Sequence, residues 1–116
     1  YFVLHAPRQT GKTSALLEIM ERINSEGVYN CVYANIESAQ ALRGDVNEAI
    51  PVVCGSIASS IELYLDDKSV RDWYDENWRK VASGELLGKL LEYWTKRSSK
   101  PCILFIDEVD ALVGDT

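Results

Sequence analysis

Apolar residues follow two rhythms along the chain. "YFVLHA" (Tyr1–Ala6), "YNCVYANIE" (Tyr29–Glu37) and "CILFI" (Cys102–Ile106) are short, β-prone and almost continuously apolar. Runs of this kind, hydrophobic on both faces, predict buried strands of a parallel sheet. Between them the spacing lengthens to three and four. In "KTSALLEIMERINSEG", Leu16, Ile19, Met20 and Ile23 mark one face of a helix, and Gly27 suits its end. Val46, Ile50, Val53, Ile57 and Ile61 keep the helical period across Pro51. That predicts one kinked helix, or a short helix followed by a longer one starting near the proline. Lys68 to Ala82 is polar with Trp73, Tyr74 and Trp78 embedded, and predicts a shorter helix between loops. Leu86, Leu87, Leu90, Leu91 and Trp94 then line one stripe of a helix that opens at Ser83 or Gly84.

Strand, loop, helix, strand, helices, strand is the alternation of an α/β fold with a parallel sheet. In such a sheet ligands bind beyond the carboxyl ends of the strands. Two polar stretches fall there: "PRQTGKT" after the first strand and "DEVD" after the third.

The first stretch carries phosphate chemistry. "APRQTGKT" (Ala6–Thr13) matches G-x-x-x-x-G-K-[ST] except that Ala6 replaces the first glycine. Backbone N–H groups at a strand-to-helix turn all point one way, and the helix dipole adds to their pull on an anion. Gly11 lets the backbone approach a phosphate without a Cβ in the way. Lys12 would place its ammonium near the β- and γ-phosphates, and Thr13 would offer a hydroxyl to Mg²⁺. Pro7, Arg8, Gln9, Thr10 and Ser14 complete the cradle, with Arg8 and Gln9 contributing backbone contacts only. Ala6 adds a single methyl group at the strand-to-loop corner, before the positions that face phosphate.

The second stretch supplies carboxylates. Asp107 would hold the Mg²⁺ largely through water, since that ion gives up its hydration shell reluctantly. Glu108 would orient the attacking water or accept its proton. Two adjacent carboxylates at a buried strand end are costly without a cation nearby. Alone, "DEVD" could equally open a solvated helix, where acidic residues suit the first turn. Asp110 fits either a supporting partner of the site or a solvated first-turn residue.

Composition narrows the field. The 116 residues carry 12 Lys+Arg against 18 Asp+Glu, a net charge of -6, which speaks against a stand-alone binder of nucleic acid. The hydrophobic share of 47% is ordinary for a globular domain. No apolar stretch of about 18 residues stands out, so no membrane association is expected, nor is a secretion signal visible. Cys31, Cys54 and Cys102 lie far apart in apolar surroundings and predict buried free thiols in a reducing cytoplasm, not a metal site. His5, the only histidine, has no acid or nucleophile beside it and reads as a strand-end residue. Trp73, Trp78 and Trp94 sit among apolar neighbours on helical segments and predict core packing or a partner interface, not a base-stacking platform.

On "VLHAPRQTGKTSALL" and "ILFIDEVDAL" the chain resembles the AAA+ branch of the P-loop NTPases, and the second motif is similar to prokaryotic AAA-type and origin-recognition-like ATPases. The resemblance implies a P-loop parallel sheet with flanking helices, here incomplete: three strands, with residues 38–82 as a helical insertion between the second and third. It implies binding of ATP and Mg²⁺ and Mg-dependent hydrolysis coupled to conformational change, with Glu108 and Lys12 as catalytic residues. The alternative is an ATP-binding switch or scaffold with little hydrolysis. It also makes Asn35, at the end of the second strand, a candidate polar switch on the Walker B glutamate. A strand-end asparagine with local hydrogen bonds fits that position equally. Possible self-association and an unidentified protein or nucleic-acid client belong to the same expectation.

Residues 1–116 are expected to be one partial nucleotide-binding domain, truncated at both ends, since Tyr1 begins an apolar run at once and the last apolar stretch ends just before Thr116. Alone, such a piece should turn over ATP poorly or not at all. In AAA+ proteins a sensor strand lies between the Walker A and Walker B strands. The resemblance therefore implies that the first and third strands face a gap or take a partner from elsewhere.

Overall fold

The computed structural model describes residues 2–5, 12–36 and 46–107. Strand β1 (Phe2–His5) leads to helix α1 (Lys12–Glu26), strand β2 (Asn30–Asn35), helices α2 (Val46–Leu65), α3 (Ser69–Asn77) and α4 (Ser83–Arg97), and strand β3 (Cys102–Asp107). The sheet is parallel with order β1-β3-β2. The α/β alternation written in the hydrophobic pattern is therefore present.

The order corrects one expectation. β1 and β3 do not face a gap; they pair directly, from Phe2 opposite Ile103 to His5 opposite Ile106. Direct pairing satisfies the backbone polar groups of the central strand from both sides, which an open gap would leave unpaired. β2 pairs with the other edge of β3, from Asn30 opposite Cys102 to Asn35 opposite Asp107. All three strands thus end together, with His5, Asp107 and Asn35 along one rim of the sheet.

Alternation along β2 and β3 sorts the core into two layers. Val32, Ala34, Cys102 and Leu104 face α2 and α4, where Val53, Cys54, Ile57, Ala58, Ile61, Leu86, Leu90, Leu91 and Trp94 are buried. Cys31, Tyr33 and Phe105 face Met20 on the other side, with Leu16, Leu17 and Ile23 packed around them. The face of α1 thus differs from the expected one: Ile19 is 45% exposed, and Leu17 takes its place. Leu17, Met20 and Ile23 keep to one stripe, and Ile19 falls outside it at about 100° per residue.

Helix ends follow local chemistry. Gly27 (φ 77) terminates α1 in the left-handed region, and its N–H bonds to the Asn24 carbonyl. Asn24 also turns its amide onto the outer edge of β2, donating to the Cys31 carbonyl (2.8 Å) and accepting from the Cys31 N–H (2.7 Å). That contact closes part of an edge that would otherwise be open to strand pairing. Asp66 (φ 52) turns the chain out of α2, and Asp67 accepts from the Ser69 N–H and hydroxyl at the start of α3. Those bonds, led by the Ser69 hydroxyl, lower the Asp67 pKa.

α2 runs unbroken through Pro51. The proline falls early in the helix, where only the carbonyl four residues back loses its donor. Its own carbonyl accepts from the Tyr74 hydroxyl (2.7 Å), which ties α3 to α2. Tyr74 fits there because residue 55 is glycine: a Cβ would stand 3.0 Å from its hydroxyl oxygen. The window Glu48–Leu65 has a mean hydropathy of 1.3 and the length to cross a membrane. The expectation that no such stretch exists therefore fails for α2. In the structure it packs between the sheet and α4, burying Val53, Cys54, Ile57, Ala58 and Ile61.

Of the three tryptophans, Trp94 is buried in the core, whereas Trp73 and Trp78 are half-buried and stack on Tyr93 and Tyr74, with centroids 5.6 and 6.3 Å apart. The three cysteines are free and buried. Burial pushes the Cys31 thiol up to about 11 and the Cys54 thiol up to about 12, from an ordinary value of 9.0. Two consequences follow from the neutral thiols. The native protein should resist alkylation by iodoacetamide at pH 8 and react only when unfolded. Above pH 9 the unfolded chain sheds thiol protons that the folded chain retains. The thiol contribution to stability is thus complete below pH 9 and declines as pH rises toward 11–12. Rapid alkylation of Cys54 in native protein would contradict this packing.

Candidate functional site

The rim where the three strands end carries the candidate chemistry. β3 is central, so its last residue is flanked on both sides, by the ends of β1 and β2. That residue is Asp107, only 1% exposed and the one buried charged side chain among the described residues. Its backbone carbonyl accepts from the Ile36 N–H (3.2 Å), which carries the β2–β3 ladder one step past the strands. Its carboxylate Oδ2 accepts from the Tyr33 hydroxyl at 2.8 Å in a buried contact. Asn35 Nδ2 in turn lies 3.5 Å from the Tyr33 Oη, at the long limit of a hydrogen bond.

Register explains the grouping. Asn35 stands directly opposite Asp107, and Tyr33 opposite Phe105. Residues two apart on a strand share a face, so Tyr33, Asn35, Phe105 and Asp107 all belong to the α1 side. The Tyr33 ring lies in the small core made by Met20, Cys31 and Phe105, and its hydroxyl reaches forward to the strand end. Every buried side-chain nitrogen and oxygen among the described residues has a partner. A buried carboxylate at this position is tolerated because its oxygens are bonded.

The predicted site residues divide into three groups. Asn35 and Asp107 are brought together at the rim, with Asn35 exposed and Asp107 buried. Lys12 and Thr13 form the start of α1, joined to the end of β1 through residues 6–11, and Ser14 is exposed on the same first turn. Pro7, Arg8, Gln9, Thr10, Gly11, Glu108 and Asp110 lie outside the described residues, so the reading of Asn35 as a partner of Glu108 rests on the motif alone. His5 closes β1 opposite Ile106, as a strand-end residue should.

Tyr33 escaped the sequence reading. In "YNCVYANIE" it passes for another apolar strand residue, because its hydroxyl matters only once β2 is set beside β3. The available signal was the shared two-residue stride of Tyr33/Asn35 and Phe105/Asp107 at matching strand ends.

The described residues hold no cluster of three or more His, Cys, Asp or Glu side chains. Mg²⁺ does not require such a cluster, since that ion keeps several waters and takes one or two protein ligands beside phosphates. Asp107 at the rim and Thr13 at the start of α1 are of the right oxygen chemistry.

A family model described as an AAA-like domain matches residues 2–115. No curated protein and no solved structure matches the chain.

Proposed function

Since the chain belongs to the AAA-like domain family, we propose that it binds ATP with Mg²⁺ at the carboxyl rim of its sheet, and that the intact protein hydrolyses the ATP to drive conformational change. The observation that carries this reading is Asp107: a buried carboxylate at the end of the central strand, next to the strand that leads into "PRQTGKT" and α1. The fold is then that of a P-loop NTPase, with the phosphates at the amino end of α1.

Each residue has a role that follows from its chemistry. The backbone N–H groups of Pro7–Ser14, proline excepted, cradle the phosphates, with Gly11 allowing the closest approach. Lys12 neutralises charge on the β- and γ-phosphates. Thr13 and Asp107 hold the metal, which when bound spreads the charge building up on the γ-phosphate. Glu108 accepts the proton of the attacking water. Asn35 orients Glu108 from the end of β2.

Titration of the intact protein with Mg·ATP in a calorimeter tests the site. Wild-type protein should bind. Lys12→Ala should weaken binding by about 1.5–3 kcal/mol, roughly 10- to 150-fold in Kd, the usual worth of a hydrogen bond to a charged group. Equal affinity in wild type and variant, or no heat from wild type, would overturn the proposal.

A further inference from the structure

The hydroxyl of Tyr33 needs a reason. Its ring packs in the core on the α1 side of the sheet with Met20, Cys31 and Phe105, where phenylalanine would fill the space without burying a polar atom. The ring is 6% exposed, so its neighbours fix where the hydroxyl sits. Tyr33 stands opposite Phe105, one same-face step short of Asp107. A diagonal of that kind spans about 7–8 Å between strands, within reach of an aromatic side chain. The reach ends on Asp107 Oδ2 at 2.8 Å. Asn35 approaches the same hydroxyl oxygen from the rim with its own donor. Asn35 donates to the Tyr33 oxygen, and the Tyr33 hydroxyl donates its own hydrogen to the carboxylate, which can only accept.

We propose that Tyr33 is a positioning residue for Asp107. Its hydroxyl clamps one carboxylate oxygen and so fixes the rotamer in which Asp107 meets the hydrated Mg²⁺ of a bound nucleotide. The inference rests on the ATP and Mg²⁺ reading given above. The physical basis is general: a carboxylate that binds a metal is oriented by its own hydrogen-bond partner, and loss of that partner commonly lowers metal affinity about 10- to 100-fold. In the proposed site Tyr33 acts on the carboxylate and has no part in the phosphate cradle. Its removal should therefore spare what the loop amides and Lys12 do.

The test separates metal from nucleotide. In the intact protein, ATP binding is measured by calorimetry in EDTA. Binding of Mn²⁺ in the presence of a non-hydrolysable ATP analogue is measured by electron paramagnetic resonance. Tyr33→Phe should leave ATP affinity in EDTA unchanged and lower Mn²⁺ affinity about tenfold or more. In an Asp107→Asn background it should have almost no further effect, because the two residues act as one unit. A purely structural hydroxyl would instead lower the melting temperature and leave Mn²⁺ affinity at the wild-type value. That result, with Asp107→Asn still impaired, overturns the inference and leaves the ATP site standing. Absence of any metal-dependent nucleotide binding in wild type removes the site and the inference together. Should Tyr33→Phe fold poorly, ¹⁹F resonances of fluorotyrosine-labelled wild type give a second reading. The Tyr33 signal should shift when Mg²⁺ is added to the nucleotide complex and stay still in Asp107→Asn; no shift in wild type counts against the clamp.

Discussion

Replacing Glu108 with glutamine is expected to lower ATP turnover about 10²- to 10⁴-fold, the usual contribution of a positioned general base, while Mg·ATP still binds. The substitution keeps the size of the side chain and most of its hydrogen-bonding capacity. It removes only the ability to accept a proton. Glu108 directly follows Asp107, whose position is set by the Tyr33 hydroxyl on its carboxylate and the Ile36 N–H on its carbonyl. The chain therefore leaves β3 at the rim where the phosphates would be held. Phosphate release and calorimetry on the same preparations decide between the two readings of the site. An ATPase loses turnover and keeps binding. A switch or scaffold hydrolyses slowly from the start, and Glu108→Gln changes little. Turnover that is brisk in wild type and undiminished in the variant would show that the base lies elsewhere.

The architecture was legible where it depends on local periodicity. The continuous apolar runs become β2 and β3, Gly27 ends α1, and the stripe from Leu86 to Trp94 is the buried face of α4, opening at Ser83. What the sequence concealed depends on contacts made at long range. Strand order is one case: nothing local says that β3 inserts between β1 and β2, and the family resemblance pointed to a gap beside β1 instead. The face of α1 is another, because Leu17 and Ile19 are equally apolar and only the direction of the sheet chooses between them. Pro51 was visible as a disturbance, yet the unbroken α2 and the Tyr74 hydroxyl on the proline carbonyl, with Gly55 making room, are evident only in three dimensions.

The site divides in the same way. Asp107 and Asn35 could be named from motif and position, because strand ends in a parallel sheet fall on one rim. Their joint contact with Tyr33 could not, because it needs the register of β2 against β3. The loop residues Pro7–Gly11 and Glu108 are carried by the motifs. Chemistry explains those motifs well: amides and an ammonium for phosphate, a carboxylate for metal, a second carboxylate for the proton.

The helical layer packs behind the sheet, and Trp94 is its largest buried side chain. Trp94→Ala is expected to cost about 3–5 kcal/mol, as removal of a buried tryptophan from a packed core does. A domain of this size has only about 5–15 kcal/mol in total, so the variant should unfold at a much lower urea concentration. Leu63→Ala, at a residue 72% exposed, should change stability by no more than about 0.5 kcal/mol. The end of α4 is tied to the amino ends of β2 and β3, opposite the rim. The Ser98 N–H bonds to the Trp94 carbonyl, and the Ser98 hydroxyl accepts from the Asn30 amide (2.7 Å). The Asn30 N–H donates to the Pro101 carbonyl (2.9 Å), just before β3 begins. These bonds fix the segment that leads into β3, and they use the Trp94 backbone carbonyl, which the substitution keeps. Where the variant is still fully folded, at low temperature and without urea, its Mg·ATP affinity should match wild type, because the carboxylate and its clamp are untouched. A loss under about 1 kcal/mol for Trp94→Ala would contradict a helical layer closely packed on the sheet.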